Sequence, residues 1–175
     1  MKKLKYYKIH DDVVDPYFAT KGSACFDICA YITETPITVY KMENLKEKII
    51  PENSRLFKEQ ELQISLSPAD RVLVPTGLFF DIPDGYSVRL HTRSSISLKR
   101  GLIMPNGEGI IDSDYYNETF IMLYNSSADN IYIENGERIA QGELIKSLDF
   151  SLESVIIPPK QITNRVGGFG STGVK

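Results

Sequence analysis

Arg71-Val72-Leu73-Val74-Pro75-Thr76-Gly77-Leu78-Phe79-Phe80-Asp81-Ile82-Pro83-Asp84-Gly85-Tyr86-Ser87-Val88-Arg89-Leu90 decides the fold class. Its apolar residues alternate with polar or outward ones over 71–75, 77–82 and 86–90, the period of a strand with one buried face. Pro83-Asp84-Gly85 between the second and third runs is a turn signal. The pattern returns at Thr119-Phe120-Ile121-Met122-Leu123-Tyr124, with further turn signals at Asn106-Gly107, Asn125-Ser126-Ser127 and Asn135-Gly136. Short strands at this spacing predict an all-β sandwich or barrel. Two places suit a helix. Leu98-Lys99-Arg100 is brief, and residues 41–49 carry Met42, Leu45 and Ile49 at helical spacing before Pro51. Residues 33–67 are more charged and less patterned than their surroundings. They read as an excursion from the β core, a solvated loop or short helix, with a partner-binding surface as the competing reading. The 175 residues otherwise show no repeat or linker and are expected to form one domain, 1–175.

Composition narrows the function classes. The apolar fraction is 42% and the charged fraction 25%, ordinary for a soluble globular protein. A net charge of −3 provides no broad basic field for nucleic acid. A nucleotide-sized anion would therefore need locally placed Arg and Lys. No apolar run is long enough to predict a membrane span, and Met1–Tyr7 lacks the apolar centre of a signal peptide. Cys25 and Cys29 lie four apart on an expected strand, too far to bridge, so both read as reduced thiols in a cytoplasmic protein. With only His10 and His91, a histidine-based triad or metal site is not expected.

Four clusters carry residue types that can do chemistry. In Asn106-Gly107-Glu108-Gly109-Ile110-Ile111-Asp112-Ser113-Asp114-Tyr115, carboxylates and a tyrosine follow an apolar pair at a strand end. An Asp placed there can take a proton from water; a turn role for Asp112 and Asp114 competes with that reading. In His91-Thr92-Arg93-Ser94-Ser95-Ile96-Ser97, an Arg and two hydroxyls suit phosphate oxygens, while a helix cap accounts for the serines equally. In Gly136-Glu137-Arg138-Ile139-Ala140-Gln141, Gln141 can donate to a phosphate, and Glu137 with Arg138 suits a structural pair at a surface turn. In Ala19–Ile28, small residues permit close backbone approach, and Asp27 suits a metal-bound water or simply the start of a strand. The chain ends in Arg165-Val166-Gly167-Gly168-Phe169-Gly170-Ser171-Thr172-Gly173. This run suits an arm that orders over a ligand, with Phe on a flat ring and hydroxyls on phosphates; a plain glycine-serine tail is the competing reading.

In this order and spacing the clusters resemble the five motifs of the homotrimeric dUTPase family, from about Tyr17 to Gly173. The resemblance implies a jelly-roll-like all-β fold and a trimer with active sites between subunits. It implies Mg²⁺-assisted hydrolysis of dUTP to dUMP and pyrophosphate, which keeps uracil out of DNA and supplies dUMP for thymidylate synthesis. Asp112 then matches the aspartate that activates the attacking water, and Tyr115 the tyrosine under the deoxyribose. Asn106, Ile110 and Ile111 match the uracil-reading segment. Arg93, Ser94, Ser95 and Gln141 match phosphate contacts, as does Arg165. Phe169 matches the ring over the uracil, with Gly170, Ser171 and Thr172 beside it and the two hydroxyls near the terminal phosphates. Asp27 matches an aspartate near the metal's water shell, and the metal is held mainly by substrate phosphates with no direct protein ligand. The chain departs from the pattern at Cys25 and Ser95, where glycine is usual, and at Gly142, where an aliphatic residue is common. Arg165 also stands one residue closer to Phe169 than the family's spacing gives.

Two alternatives compete. The homologous dCTP deaminases often read Arg-Ser-Ser in the second motif, as here. Their catalytic glutamate matches a position near Met122, where this chain offers no carboxylate. A nucleotide-dependent regulatory binding protein is the other, with residues 33–67 as its partner surface.

Overall fold

The computed structural model describes residues 2–53, 62–164 and Gly167. In chain order its elements are β1 (Lys5–Lys8), β2 (Phe26–Cys29), β3 (Ile37–Tyr40), β4 (Lys46–Ile49), β5 (Glu52–Asn53), β6 (Leu62–Leu66), β7 (Arg71–Pro75), β8 (Leu78–Asp81), β9 (Tyr86–Thr92), α1 (Ser94–Arg100), β10 (Leu102–Ile103), β11 (Gly109–Ile111), β12 (Phe120–Asn125), β13 (Ile131–Glu134) and β14 (Arg138–Lys146). The all-β expectation holds. The strands form sheets ordered β11-β9-β14-β2, β10-β12-β7-β3-β4, β13-β6-β5 and β1-β8, and all the pairings between them are antiparallel.

The alternation that predicts the strands also places the core. In β7 Val72 and Val74 turn inward while Leu73 faces out; in β12 Ile121 and Leu123 turn inward opposite them. They join Ile28, Val39, Leu66, Leu78, Val88 and Ile139 in one apolar cluster. Each fully buried side chain of this kind contributes about 1.5–3 kcal/mol. Asn125 is fully buried yet satisfied. It donates to the carbonyls of Leu66 (3.0 Å) and Asp129 (2.8 Å) and accepts from the Ser127 hydroxyl (2.8 Å). No helix of the described residues is long and apolar enough to cross a membrane.

The structure changes three expectations. Residues 41–49 are not helical: β4 returns antiparallel to β3 across a turn in which Asn44 takes φ 60°. Met42 and Leu45 are exposed there, so their helical spacing marks no buried face. Nor does the charged 33–67 stretch stand outside the β core. Its ends supply β3, inside the five-stranded sheet, and β6, whose Ile64 and Leu66 are buried; its residues 54–61 lie outside the described set. The single brief helix starts earlier than Leu98, at Ser94, because β9 runs straight into it through Arg93 and Ile96 anchors it in the core.

Gly142 has a packing reason. A Cβ there would stand 2.7 Å from Cζ of Phe26, whose ring fills the space an aliphatic side chain would need. Gly142→Ala is expected to cost about 2 kcal/mol, roughly 6 °C in Tm, and Phe26→Leu to relieve part of that loss. An unchanged melting curve for Gly142→Ala would contradict the contact.

Candidate active site

Strand β9 organises the candidate residues because it pairs on both sides. On one side β11 runs antiparallel to it, with Gly109 opposite Leu90 and Ile111 opposite Val88. The chain before β11 turns through Asn106-Gly107, where Gly107 takes φ 75°. Ile111 points into the core and Ile110 outward. Asp112 follows directly, and its carbonyl accepts the Tyr115 N–H at 3.2 Å, so Asp112 opens a turn. The turn reading of Asp112 holds, and its side chain is exposed.

A cleft of about 290 Å³ lies here, lined by Asn106, Ile110, Asp112 and Tyr115 with Phe120 and Met122 of β12. Tyr115 is fixed by its hydroxyl, which donates to the Glu118 carbonyl at 2.9 Å. Glu118 is itself held, its carboxylate accepting the Gly77 N–H at 2.8 Å. This brace is not visible in the sequence, although Glu118 is only three residues from Tyr115. The cleft offers an apolar wall, an aromatic edge and one open carboxylate.

The second group lies on the other side of β9. Gln141 of β14 pairs with His91 of β9 and with Asp27 of β2, so the second, third and fourth clusters meet across three adjacent strands. Asp27 is buried, and its N–H donates to the Tyr17 carbonyl at 2.8 Å. One carboxylate oxygen is ion-paired with Arg93 Nε at 3.1 Å and the other accepts from Arg138 Nη1 at 3.1 Å. That hydrogen bond raises the Arg138 pKa above its already high value. Ser94 and Ser95 open α1 beside Arg93, which occupies the N-cap position without a side-chain cap bond. Arg93, Ser95 and Arg138 share a groove of about 550 Å³ with Lys99.

One expectation changes here. Glu137 and Arg138 do not pair with each other: Glu137 pairs with Arg100, and Arg138 with Asp27, 111 positions away. Asp27 stands between two guanidinium groups. Arg165, Phe169, Gly170, Ser171 and Thr172 lie outside the described residues.

The two groups are well separated within one chain. Ile111 is opposite Val88, and Arg93 lies five residues further along from Val88, roughly 17 Å at strand rise. Beyond β14, residues 147–164 form no strand, and Leu148, Phe150, Leu152 and Ile156 are all more than three-quarters exposed.

A family model described as dUTPase matches residues 59–173. The deoxyuridine 5'-triphosphate nucleotidohydrolase of Hydrogenobaculum sp. is 31% identical over 176 residues, covering 99% of each chain. Among solved structures, the dUTPase of Streptococcus mutans is similar at 26% identity and TM-score 0.61, covering 83% of this chain and 98% of its own. The Staphylococcus bacteriophage 80alpha dUTPase, solved with dUPNHPP, shares the fold at TM-score 0.73 and 21% identity over 99% of this chain and all of its own.

Cys25 and Cys29 are free thiols beside Asp27. Burial raises both pKa values above the ordinary 9.0, and for Cys25 the Glu143 and Asp27 carboxylates add to it. A raised pKa keeps the thiol protonated at neutral pH, and the thiolate is the reactive form. Alkylation by iodoacetamide is therefore expected to be slow for both at neutral pH and to accelerate only above pH 9.0. Rapid neutral-pH labelling of Cys25 would contradict this environment.

Proposed function

We infer the reaction from one premise: this chain belongs to the dUTPase family. It hydrolyses dUTP to dUMP and pyrophosphate. The observation that carries the reading is the cleft at the end of β11, where Asn106, Ile110, Tyr115 and the open carboxylate of Asp112 come together. Asp112 takes a proton from a water molecule as that water's oxygen bonds to the α-phosphorus. The bond from that phosphorus to the bridging oxygen breaks, and pyrophosphate leaves. Asn106 and the backbone at Ile110 and Ile111 read the uracil edge, a polar pairing that rejects bases leaving those groups unpaired. Tyr115, braced by Glu118, packs against the deoxyribose and leaves no room for a 2′-hydroxyl.

Arg93, Ser94, Ser95 and Gln141 bind the phosphates, with donors suited to their oxygens. Magnesium bound through those phosphates supplies charge neutralisation. Among the described residues no group of three or more His, Cys, Asp or Glu is placed to hold a metal ion. Arg165, Phe169, Gly170, Ser171 and Thr172 complete the site as a closing arm.

The working unit is a homotrimer. A gap of roughly 17 Å between the two groups supports a site assembled from the Asp112 cleft of one subunit and the Arg93 group of another. The exposed apolar run from Leu148 to Ile157 supports the same reading, since such a surface favours burial against another chain. The free thiols support a reducing, cytoplasmic compartment. Deamination of dCTP lacks its base: Met122 and Phe120 line the cleft where that chemistry needs a carboxylate.

A panel of dUTP, dCTP, dTTP and UTP with Mg²⁺, followed by pyrophosphate and ammonia release, tests the reading. Pyrophosphate from dUTP alone is expected, and ammonia from dCTP would overturn it. Asp112→Asn is expected to lower kcat by about a thousandfold while dUTP still binds; near-normal kcat would remove the water-activating role. Tyr115→Ala is expected to raise the UTP/dUTP ratio of kcat/KM by about tenfold, and an unchanged ratio would contradict sugar discrimination by the ring.

A further inference from the structure

We propose that Glu118 is a specificity-determining positioning residue: its carboxylate pins the peptide that holds the Tyr115 ring, and so sets the room left for a 2′-hydroxyl. The inference rests on the sugar-facing role proposed above for Tyr115 and deepens it.

Residues 112–119 join β11 to β12 and carry Asp112 at one end. Tyr115 is tied in both directions along this segment. Its N–H donates to the Asp112 carbonyl at 3.2 Å, and its hydroxyl donates to the Glu118 carbonyl at 2.9 Å. Tyr116 and Asn117, between Tyr115 and Glu118, are exposed. The far edge of the ring is therefore placed by the Glu118 peptide.

That peptide is fixed from the turn between β7 and β8. The Glu118 carboxylate accepts the Gly77 N–H at 2.8 Å, 41 positions away. A charged acceptor makes a stronger bond to such a donor than a neutral one. Gly77 cannot shift to relax it. Its φ is 66°, a Cβ there would stand 2.6 Å from Cγ2 of Val13, and its carbonyl accepts the Ile9 N–H at 3.0 Å. Thr119 is tied to the same turn through its backbone. The Thr76 hydroxyl donates to the Thr119 carbonyl at 2.6 Å, and the Thr119 N–H donates to the Leu78 carbonyl at 2.8 Å. Those bonds secure the start of β12 with or without the Glu118 side chain. What the carboxylate adds is the orientation of the peptide that receives the tyrosine hydroxyl.

The two residues face different spaces. Tyr115 lines the cleft of about 290 Å³ with Asp112, whereas Glu118 lines a neighbouring cavity of about 440 Å³ with His10 and Tyr31; Phe120 lines both. Glu118 thus acts on a bound sugar through the ring, without touching it. Releasing its carboxylate frees the ring edge to swing away from the sugar and make room for a larger 2′ substituent. The Asp112 turn lies on the other side of Tyr115 and keeps its own bond.

The test uses the full-length protein and steady-state turnover of dUTP and UTP with Mg²⁺, together with Tm. Glu118→Ala is expected to raise the UTP/dUTP ratio of kcat/KM by about fivefold, acting on KM more than on kcat. Tyr115→Phe, which lacks the donating hydroxyl, is expected to shift the ratio in the same direction. Combining the two is expected to add nothing beyond the larger single effect, because they break one connection. Glu118→Gln keeps an acceptor oxygen and is expected to stay within about twofold of the wild-type ratio. An unchanged ratio in Glu118→Ala beside a lowered Tm would make Glu118 a fold anchor and overturn the proposal, as would fully additive shifts in the double variant. Should Glu118→Ala fail to fold, Glu118→Asp, one methylene too short to reach Gly77, decides in its place, and a wild-type ratio there overturns the proposal. An unchanged ratio in Tyr115→Ala would overturn the sugar reading and this inference with it. A shifted Tyr115→Ala beside an unshifted Glu118→Ala overturns the role of Glu118 alone.

Discussion

The antiparallel pairing of β9 on both of its edges is the constraint on which the candidate site depends. One edge holds β11, and thereby the segment that carries Asn106, Ile110 and Asp112. The other holds β14, which in turn holds β2, so that His91, Gln141 and Asp27 lie in a row across the sheet. Side chains reverse face with every residue along a strand. A one-residue slip of β9 would turn its buried Val88 and Leu90 out and displace both groups from their partners. Core packing therefore secures the register, and the register places the chemistry.

The same pairing separates the groups. Because Asp112 follows the residue opposite Val88 while Arg93 lies beyond the other end of β9, no small ligand can touch both on one chain without spanning the length of the strand. A single subunit thus presents two incomplete surfaces, one apolar with an open carboxylate and one cationic with hydroxyls. The homotrimer proposed above would juxtapose them, with burial of the exposed apolar run after β14 as its driving force.

Local patterns were legible in the sequence wherever one strand has one buried face. Runs 71–75, 77–82 and 86–90 became β7, β8 and β9 because alternation and turn chemistry agree there. Asp112 and Tyr115 were legible as well, since their relation to the strand end is set within a few residues. The charged run 41–49 was not. Met42 and Leu45 match a helical period by position alone, whereas β3 needs a partner strand and the turn at Asn44 allows β4 to return. The partners of Asp27 were also out of reach, because one lies 111 positions away and depends on a bulge that no local residue announces. Glu137 and Arg138 suggested a pair by adjacency, but Glu137 pairs with Arg100 and Arg138 with Asp27, both distant in sequence.

The contrast between Asp27 and Asp112 shows how environment divides the work between two carboxylates of the same kind. Asp27 is enclosed, tied through its backbone to Tyr17, hydrogen-bonded to Arg138 and ion-paired with Arg93. Asp112 has the opposite setting: a turn backbone that fixes its position and an exposed carboxylate at the mouth of a cleft. The general-base role proposed for Asp112 needs access to water and an uncommitted oxygen, which the setting of Asp27 does not offer. The division follows from where each residue sits along its strand: Asp27 in the middle of β2's short ladder, Asp112 one residue past the end of β11.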